Sequence, residues 1–270
     1  MTIIPTIEIV KDLYLSGLSG LEIAKIYNVP HGKIYWLLKK AEISLRNNRI
    51  NSRKYLINHN FFQVIDTQEK AYWLGFMMAD GYITARQYSY NVGIALAIKD
   101  KTHLELFNKA LESTYPIKEY IQTQGYAPGT RYCRLLISSK KLFQDLENLG
   151  VVERKSLILK MPTVTQNLRR HLIRGYFDGD GSWSIAKKSK YKYAFKLCGT
   201  KEILEEVLLE LHAYSKLYDR HKRNNNNFYI SISGKKVLDI MEYLYQDASI
   251  YLDRKYQRYL QIKVPLQSNL

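Results

Sequence analysis

Acid is what this chain has too little of. Of its 270 residues, 25 are Asp or Glu against 41 Lys or Arg, a formal charge of +16 at pH 7. Charged residues together are an ordinary 24%, so the imbalance is one-sided, and it invites a polyanion, most commonly nucleic acid. Cysteine is nearly missing. Cys133 and Cys198 stand far apart with no CxxC spacing, which excludes a disulfide framework and most of a zinc site. No apolar run approaches the roughly 20 residues that cross a bilayer, which excludes a membrane-spanning helix. The opening MTIIPTIEIVKD has no basic n-region and no small-residue cleavage site, so the chain reads as intracellular and cytoplasmic rather than secreted. Its length allows one large domain or two modest ones, and 46% apolar residues suffice for real cores.

Tyrosine, in contrast, is abundant at 23 residues, and Ile, Asn and Lys are plentiful too. Codon bias in an AT-rich genome explains this, and so does a surface of interleaved Tyr and Lys that meets phosphate and sugar. Composition leaves both open.

Residues 1–46 read as three short helices. Ile9 and Leu13 fall four apart before a Ser16-Gly17 stop, and Ser19-Gly20-Leu21-Glu22 has capping-box spacing. Ile23, Ala24 and Tyr27 make a second stripe, Asn28-Val29-Pro30 breaks it, and Ile34, Leu37 and Leu38 make a third. The segment GLSGLEIAKIYNVPHGKIYWLLKKAEI resembles helix-turn-helix modules of bacterial and phage proteins. That resemblance implies a third helix in the major groove, presenting His31, Lys33, Tyr35 or Trp36. It also implies a bacterial or phage origin, with an organelle as the alternative. A plain three-helix cap with a basic face is the other reading. Residues 47–70 are polar, Asn-rich and weakly periodic, which predicts a linker with room for a short helix near its end. Its His59-Asn60 pair has no companion histidines at usable spacing, so an HNH nuclease is set aside.

From residue 71 the chain repeats. YWLGFMMADGYI at 72–83 matches LIRGYFDGDGSW at 172–183, offset by 100 residues. Glu153-Arg154-Lys155-Ser156 matches Asp253-Arg254-Lys255-Tyr256 at the same offset, and SSKKLFQDLENL at 138–149 matches SGKKVLDIMEYL at 233–244, offset by 95. Two homologous halves are expected, 71–160 and 161–262, related by a pseudo-two-fold axis within the chain. Each half reads as helix, two strands, helix, two strands, helix. The predicted class is therefore α+β, two αββαββα halves behind a small all-α domain. Strands are expected at 91–98 and 131–138 and a helix at 102–111. In 191–198, Tyr193, Phe195 and Leu197 face one way while Lys192, Ala194 and Lys196 face the other. A sheet with one face on helices leaves the second free, and here that face carries lysine. Basic turns at Lys187, Lys188 and Lys192, and at Arg220, Lys222 and Arg223, add candidate contacts to nucleic acid.

WLGFMMADG at 73–81 and IRGYFDGDG at 173–181 carry the chemistry. Each has small residues four apart, Gly75 with Ala79 and Gly175 with Gly179, forming a flat strip on which two helices can pack backbone to backbone. Each ends in Asp-Gly, where glycine suggests a left-handed cap. The aspartate is out of place, because a helix C-terminus carries partial negative charge and an acid there costs a few tenths to about 1 kcal/mol. Packed strips would bring Asp80 and Asp180 together and add repulsion. A local rule broken twice at matched positions points to function. A divalent cation is the simplest offset: two carboxylates, nearby carbonyls and retained waters suit Mg²⁺ or Mn²⁺, which supports phosphodiester cleavage.

Both stretches resemble the LAGLIDADG motif, and two copies resemble a monomeric LAGLIDADG homing endonuclease. The resemblance covers about 71–260. It implies metal binding by Asp80 and Asp180 with the carbonyls of Ala79 and Gly179. It also implies a basic residue near the end of each fourth strand, placed on Lys140 and Lys235, with Lys196 as a weaker candidate. Asp178, matched by Met78 in the first half, reads as structural. The implied fold is a saddle over double-stranded DNA, cut across the minor groove at a long site to leave staggered ends. Two other readings stand beside it: a catalytically silent DNA-binding regulator, and an RNA maturase whose partner is intron RNA. An intein is set aside, since the chain neither starts with Cys or Ser nor ends in His-Asn.

Overall fold

The computed structural model describes residues 5–16, 18–43, 45, 55–87, 89–124, 127–185, 193–220 and 225–267, with side chains to 261. Contacts divide the chain into two units, Met1–Lys54 and Tyr55–Leu270. Among the described residues no helix is long and apolar enough to cross a membrane.

The first unit has helices Ile7–Leu15, Gly20–Tyr27 and His31–Lys40. The capping box forms: Ser19 Oγ accepts from Glu22 N–H at 3.2 Å, and Glu22 Oε2 accepts from Ser19 N–H at 2.7 Å. Asn28 ends the second helix in the left-handed region, φ 47°, a conformation that Asn tolerates better than most residues. Ile23, Ala24, Ile34, Leu37 and Leu38 are buried as expected, but the first helix contributes Val10 and Tyr14. Ile9 is 42% exposed. Either pair fits i, i+4 on a nine-residue helix, and packing against the other two helices chooses between them.

In the second unit the halves repeat element by element. The first half runs from helix Gln68–Ala79 through β1 (Gly81–Arg86), β2 (Ser89–Ala97), helix Lys101–Ala110, β3 (Lys118–Ile121) and β4 (Arg131–Ser138) to helix Lys140–Asn148. The second runs from helix Gln166–Asp180 through β5 (Gly181–Ile185), β6 (Tyr193–Gly199), helix Lys201–Glu210, β7 (Tyr218–Asp219) and β8 (Phe228–Ser233) to helix Lys236–Tyr245. Helix Asp253–Gln267 follows. The sheets have matching antiparallel orders, β1-β2-β4-β3 and β5-β6-β8-β7. Strand alternation sets the faces: Cys133, Leu135 and Ile137, like Ile230 and Ile232, are buried. One apolar cluster runs through both halves, from Phe61 to Tyr259.

Residues 55–66 are not the free tether expected of a linker. Leu56 and Thr114 exchange hydrogen bonds, Asn58 N–H reaches Leu111 O at 2.8 Å, and Phe61 and Phe62 are buried in the core. Burial of two aromatic rings outweighs an Asn-rich, aperiodic sequence. The first motif helix accordingly starts at Gln68, capped by Thr67. Gly81 and Gly181 also depart from the expected left-handed caps. Neither has positive φ, and each opens a strand. Glycine is required there by close approach, since a Cβ at Gly181 would lie 2.6 Å from Phe177 O and one at Gly81 2.7 Å from Met77 O.

Candidate functional site

The two motif helices meet backbone to backbone. A Cβ on Gly75 would lie 1.9 Å from Leu172 O, and one on Gly175 would lie 1.9 Å from Tyr72 O. The two clashes mirror each other, as a pseudo-two-fold axis through the seam requires. Farther along, a Cβ on Gly179 would fall 2.3 Å from the Ala79 Cβ and 3.3 Å from Asp80 Oδ2. The Asp80 carboxyl thus lies against the residue that precedes Asp180. The expected convergence of the two acids holds.

Both aspartates keep solvent-exposed surface, yet each carboxyl is closely surrounded by protein. Loss of hydration, with the charge of Asp180 next, pushes Asp80 up to about 6. Asp180 is pushed up for the same first reason. A carboxyl whose folded value stands above its unfolded one favours the folded state when protonated. That contribution is whole below pH 3.8 and is lost as pH rises through about 6. Asp80→Asn has no proton to lose. Thermal melts in metal-free buffer should therefore show the variant gaining on the parent across this window; a pH-independent difference would contradict the shift.

Two lysines complete the centre. Lys155 Nζ donates to Ala79 O at 3.1 Å and to Gly81 O. Lys255 Nζ donates to Phe177 O at 2.6 Å, Asp178 O at 2.8 Å and Gly181 O at 2.6 Å. Each buried ammonium closes the C-terminus of its own half's motif helix and offsets the negative end of that dipole. Burial lowers both, Lys255 to about 8. They also restrain the rise of the two acids. The structure does not bring the other lysine pair there. Lys140 is exposed, its Nζ 5.5 Å from the Tyr90 ring centre, and Lys235 is exposed before its helix. β4 ends at Ser138, which lies opposite Asn91 and, through it, Thr84. That is three strand steps, about 10 Å, outward from Gly81. The missed signal lay in the offsets: Lys155 and Lys255 share the 100-residue spacing of the acids, whereas Lys140 and Lys235 do not.

Among the described residues no third acid, His or Cys joins Asp80 and Asp180 in a metal-holding cluster, and Ala79 O already accepts from Lys155. The donors are hard oxygens only, on two carboxyls still short of positive charge despite the lysines. This fits a hard cation that keeps waters and takes further oxygens from a ligand.

Away from the centre, the free sheet faces carry Tyr82, Tyr120, Tyr132 and Arg134 in the first half. In the second they carry Ser182, Lys196, Tyr218, Tyr229 and Ser231. A tyrosine pair stacks on each, Tyr120 with Tyr132 at 5.3 Å and Tyr218 with Tyr229 at 5.0 Å. Arg134 Nη2 donates to Tyr120 Oη at 2.9 Å. Arg220 is exposed at the end of β7. In the first unit His31, Lys33 and Trp36 are exposed, while the half-buried Tyr35 ring packs over Gly20. Lys187, Lys188, Lys192, Lys222 and Arg223 lie outside the described residues.

Asp178 is buried within the seam. It accepts from Tyr72 Oη at 2.8 Å, from Leu252 N–H at 2.7 Å and from Tyr245 Oη. Because Tyr72 gives its proton to Asp178, it accepts from His103 Nε2, 2.9 Å away, and burial holds His103 neutral, near 3. This polar chain ties the halves together and leaves Asp178 no free coordinating role.

Paired helices that share an acid-tipped seam, each opening into a four-stranded sheet, define a duplicated fold with one common polar centre. The chain belongs to the family of LAGLIDADG-like domains, whose model matches residues 67–149 and again 167–244, more than half of its length. It is 26% identical over 194 residues to an uncharacterized protein, MJ0314, of Methanocaldococcus jannaschii, covering 66% of this chain and 71% of that protein. Among solved structures it is similar to the meganuclease I-SmaMI bound to uncleaveable DNA (TM-score 0.47, 11% identity, 73% of this chain and 90% of that one). It is also similar to the LAGLIDADG homing endonuclease I-GzeII in complex with its DNA target (TM-score 0.49, 12% identity, 74% and 91%).

Proposed function

We propose that the chain is a site-specific DNA endonuclease of the homing type, which makes a metal-dependent staggered break in a long, partly symmetric duplex site. The observation that carries this reading is the pair Asp80 and Asp180, held together at a glycine seam although both carboxyls are pushed towards protonation. The family's two-motif arrangement supports it. A divalent cation held by these carboxylates would supply water activation and stabilisation of the leaving oxygen.

The chain's own residues do the rest. Lys255 spends all three N–H bonds on backbone carbonyls, so it acts through charge and position rather than by giving a proton to substrate. Lys155 spends two in the same way, on the carbonyls of Ala79 and Gly81. The tyrosine and lysine faces of the sheets meet the duplex, phosphate contacts dominate affinity, and binding falls steeply with salt. The first unit acts as a helix-turn-helix module that extends the footprint, with His31, Lys33 and Trp36 towards DNA. Tyr35 steadies that helix from behind.

Selection of cleavable sequences from randomised duplex DNA with Mg²⁺, repeated in EDTA, tests the proposal. Recovery of one long site, cut on both strands and only with the cation, is expected. Binding without cutting would favour the regulator, and selective affinity for structured RNA would favour the maturase.

A further inference from the structure

The halves agree in backbone but differ beside the acids. Gln122 N–H bonds to Thr130 O at 2.9 Å and Arg220 N–H bonds to Asn227 O at 3.0 Å. Each donor stands one residue beyond β3 or β7, and the stacked tyrosines align the two halves in the same way. Gln122 and Arg220 are therefore equivalent in place and opposite in chemistry. Arg220 lines a cleft of 190 Å³ with Asp180, Ser156, Cys198 and Asn227. Its charge is also among those that restrain the rise of Asp180. Among the described residues, no hydrogen bond or ion pair ties up its guanidinium. Gln122 turns its amide back into its own turn, Nε2 to Gln124 O at 2.9 Å. The depression it lines, with Ala95, Ile121 and Tyr132, contains neither aspartate.

A carboxylate and an unspent guanidinium across one small cleft suit a phosphodiester group. The planar fork takes two phosphate oxygens, and the carboxylate would help hold a cation that offsets the phosphate's charge. We propose that Arg220 is a one-sided phosphate clamp, gripping a single backbone phosphate of one DNA strand in the Asp180 cleft with no counterpart on the Asp80 side. This rests on the DNA-binding part of the reading above but not on cleavage.

Ethylation interference with the full chain on a duplex selected for binding from randomised DNA, in EDTA so that no strand is cut, reads the clamp directly. Ethylation of one phosphate on one strand should weaken parental binding roughly ten-fold or more, as for loss of a charge-assisted contact, with no mirrored phosphate on the other strand. Arg220→Gln should erase that single position and leave the rest of the pattern, while Arg220→Lys keeps part of it. With Mg²⁺ the gripped strand should be nicked first, and Gln122→Arg should speed the slower strand. Two equal mirrored phosphates, or a pattern unchanged in Arg220→Gln, would overturn the clamp. One-sided interference without nicking would keep the clamp and overturn the endonuclease reading. A parent that binds no duplex overturns both.

Discussion

Asp80→Asn or Asp180→Asn should lower strand cleavage by about three orders of magnitude or more while leaving affinity for the target nearly unchanged. Asparagine keeps the shape of the side chain and removes its charge, so the seam and the sheets stay as they are. What is lost is half of the anionic oxygen donors of the centre, and no neighbouring acid among the described residues can substitute. On the proposed reading, affinity rests instead on phosphate contacts spread over both sheets, most of them away from these two positions. Stability should rise slightly near neutral pH, because the mutual repulsion that helps hold Asp80 near 6 disappears. Lysine variants sharpen the test. Lys155→Met and Lys255→Met should impair cleavage by uncapping the helices that carry the acids, whereas Lys140→Ala and Lys235→Ala should leave the chemical step intact. Single-turnover cleavage and gel-shift titrations on one duplex separate the two effects. If both asparagine variants cut as well as the parent, the acids are not the reacting centre.

The acids were legible because they break a local rule twice in repeated context. A charge at the wrong end of a helix dipole needs a reason, and the same anomaly 100 residues later removes chance. The seam was legible for a related reason: Gly75, Ala79, Gly175 and Gly179 leave nothing on that face but backbone and one methyl group. Strand β4 runs over the expected Arg131–Ser138 to the residue, with Cys133, Leu135 and Ile137 turned to the core, although Leu136 on the free face breaks the alternation of polarity.

What stayed hidden depends on tertiary placement. Nothing local to Lys155 or Lys255 announces a buried ammonium; each follows an arginine in a charged segment, and only the fold carries its Nζ to the helix end. Lys140 and Lys235 looked better because Ser-x-Lys-Lys repeats and adjoins a strand, but strand register sends them outward. Phe61 and Phe62 carry no sequence signal because two adjacent aromatics have no period, although burying both is among the larger gains available to a short segment. Arg220 could be read as basic but not as lopsided, since its equivalence to Gln122 emerges only from paired backbone hydrogen bonds.

Gly175→Ala should destabilise the second unit by about 3 kcal/mol, at the upper end for overpacking, and should abolish cleavage in whatever fraction remains folded. In an ordinary helix the substitution would help, because alanine exceeds glycine in helix propensity by about 1 kcal/mol. Here the new methyl carbon meets Tyr72 O at 1.9 Å and Phe76 N at 2.9 Å, and backbone atoms of a packed helix cannot rotate aside as a side chain can. The helices must separate by more than 1 Å, since carbon and oxygen do not approach much closer than about 3.3 Å. That separation opens the same seam that aligns Asp80 with Asp180 and seats Asp178 beneath Tyr72, so stability and catalytic geometry fall together. Gly75→Ala should behave alike against Leu172 O, and the double variant should cost less than the sum because the first separation relieves the second clash. Denaturant unfolding followed through the buried Trp73 and Trp183 measures the loss. Gly32→Ala, where the added carbon meets nothing within 4 Å, supplies the control and should cost nothing. An unchanged midpoint for Gly175→Ala would mean that the helices do not touch through their backbones, and the shared acid site would lose its physical basis.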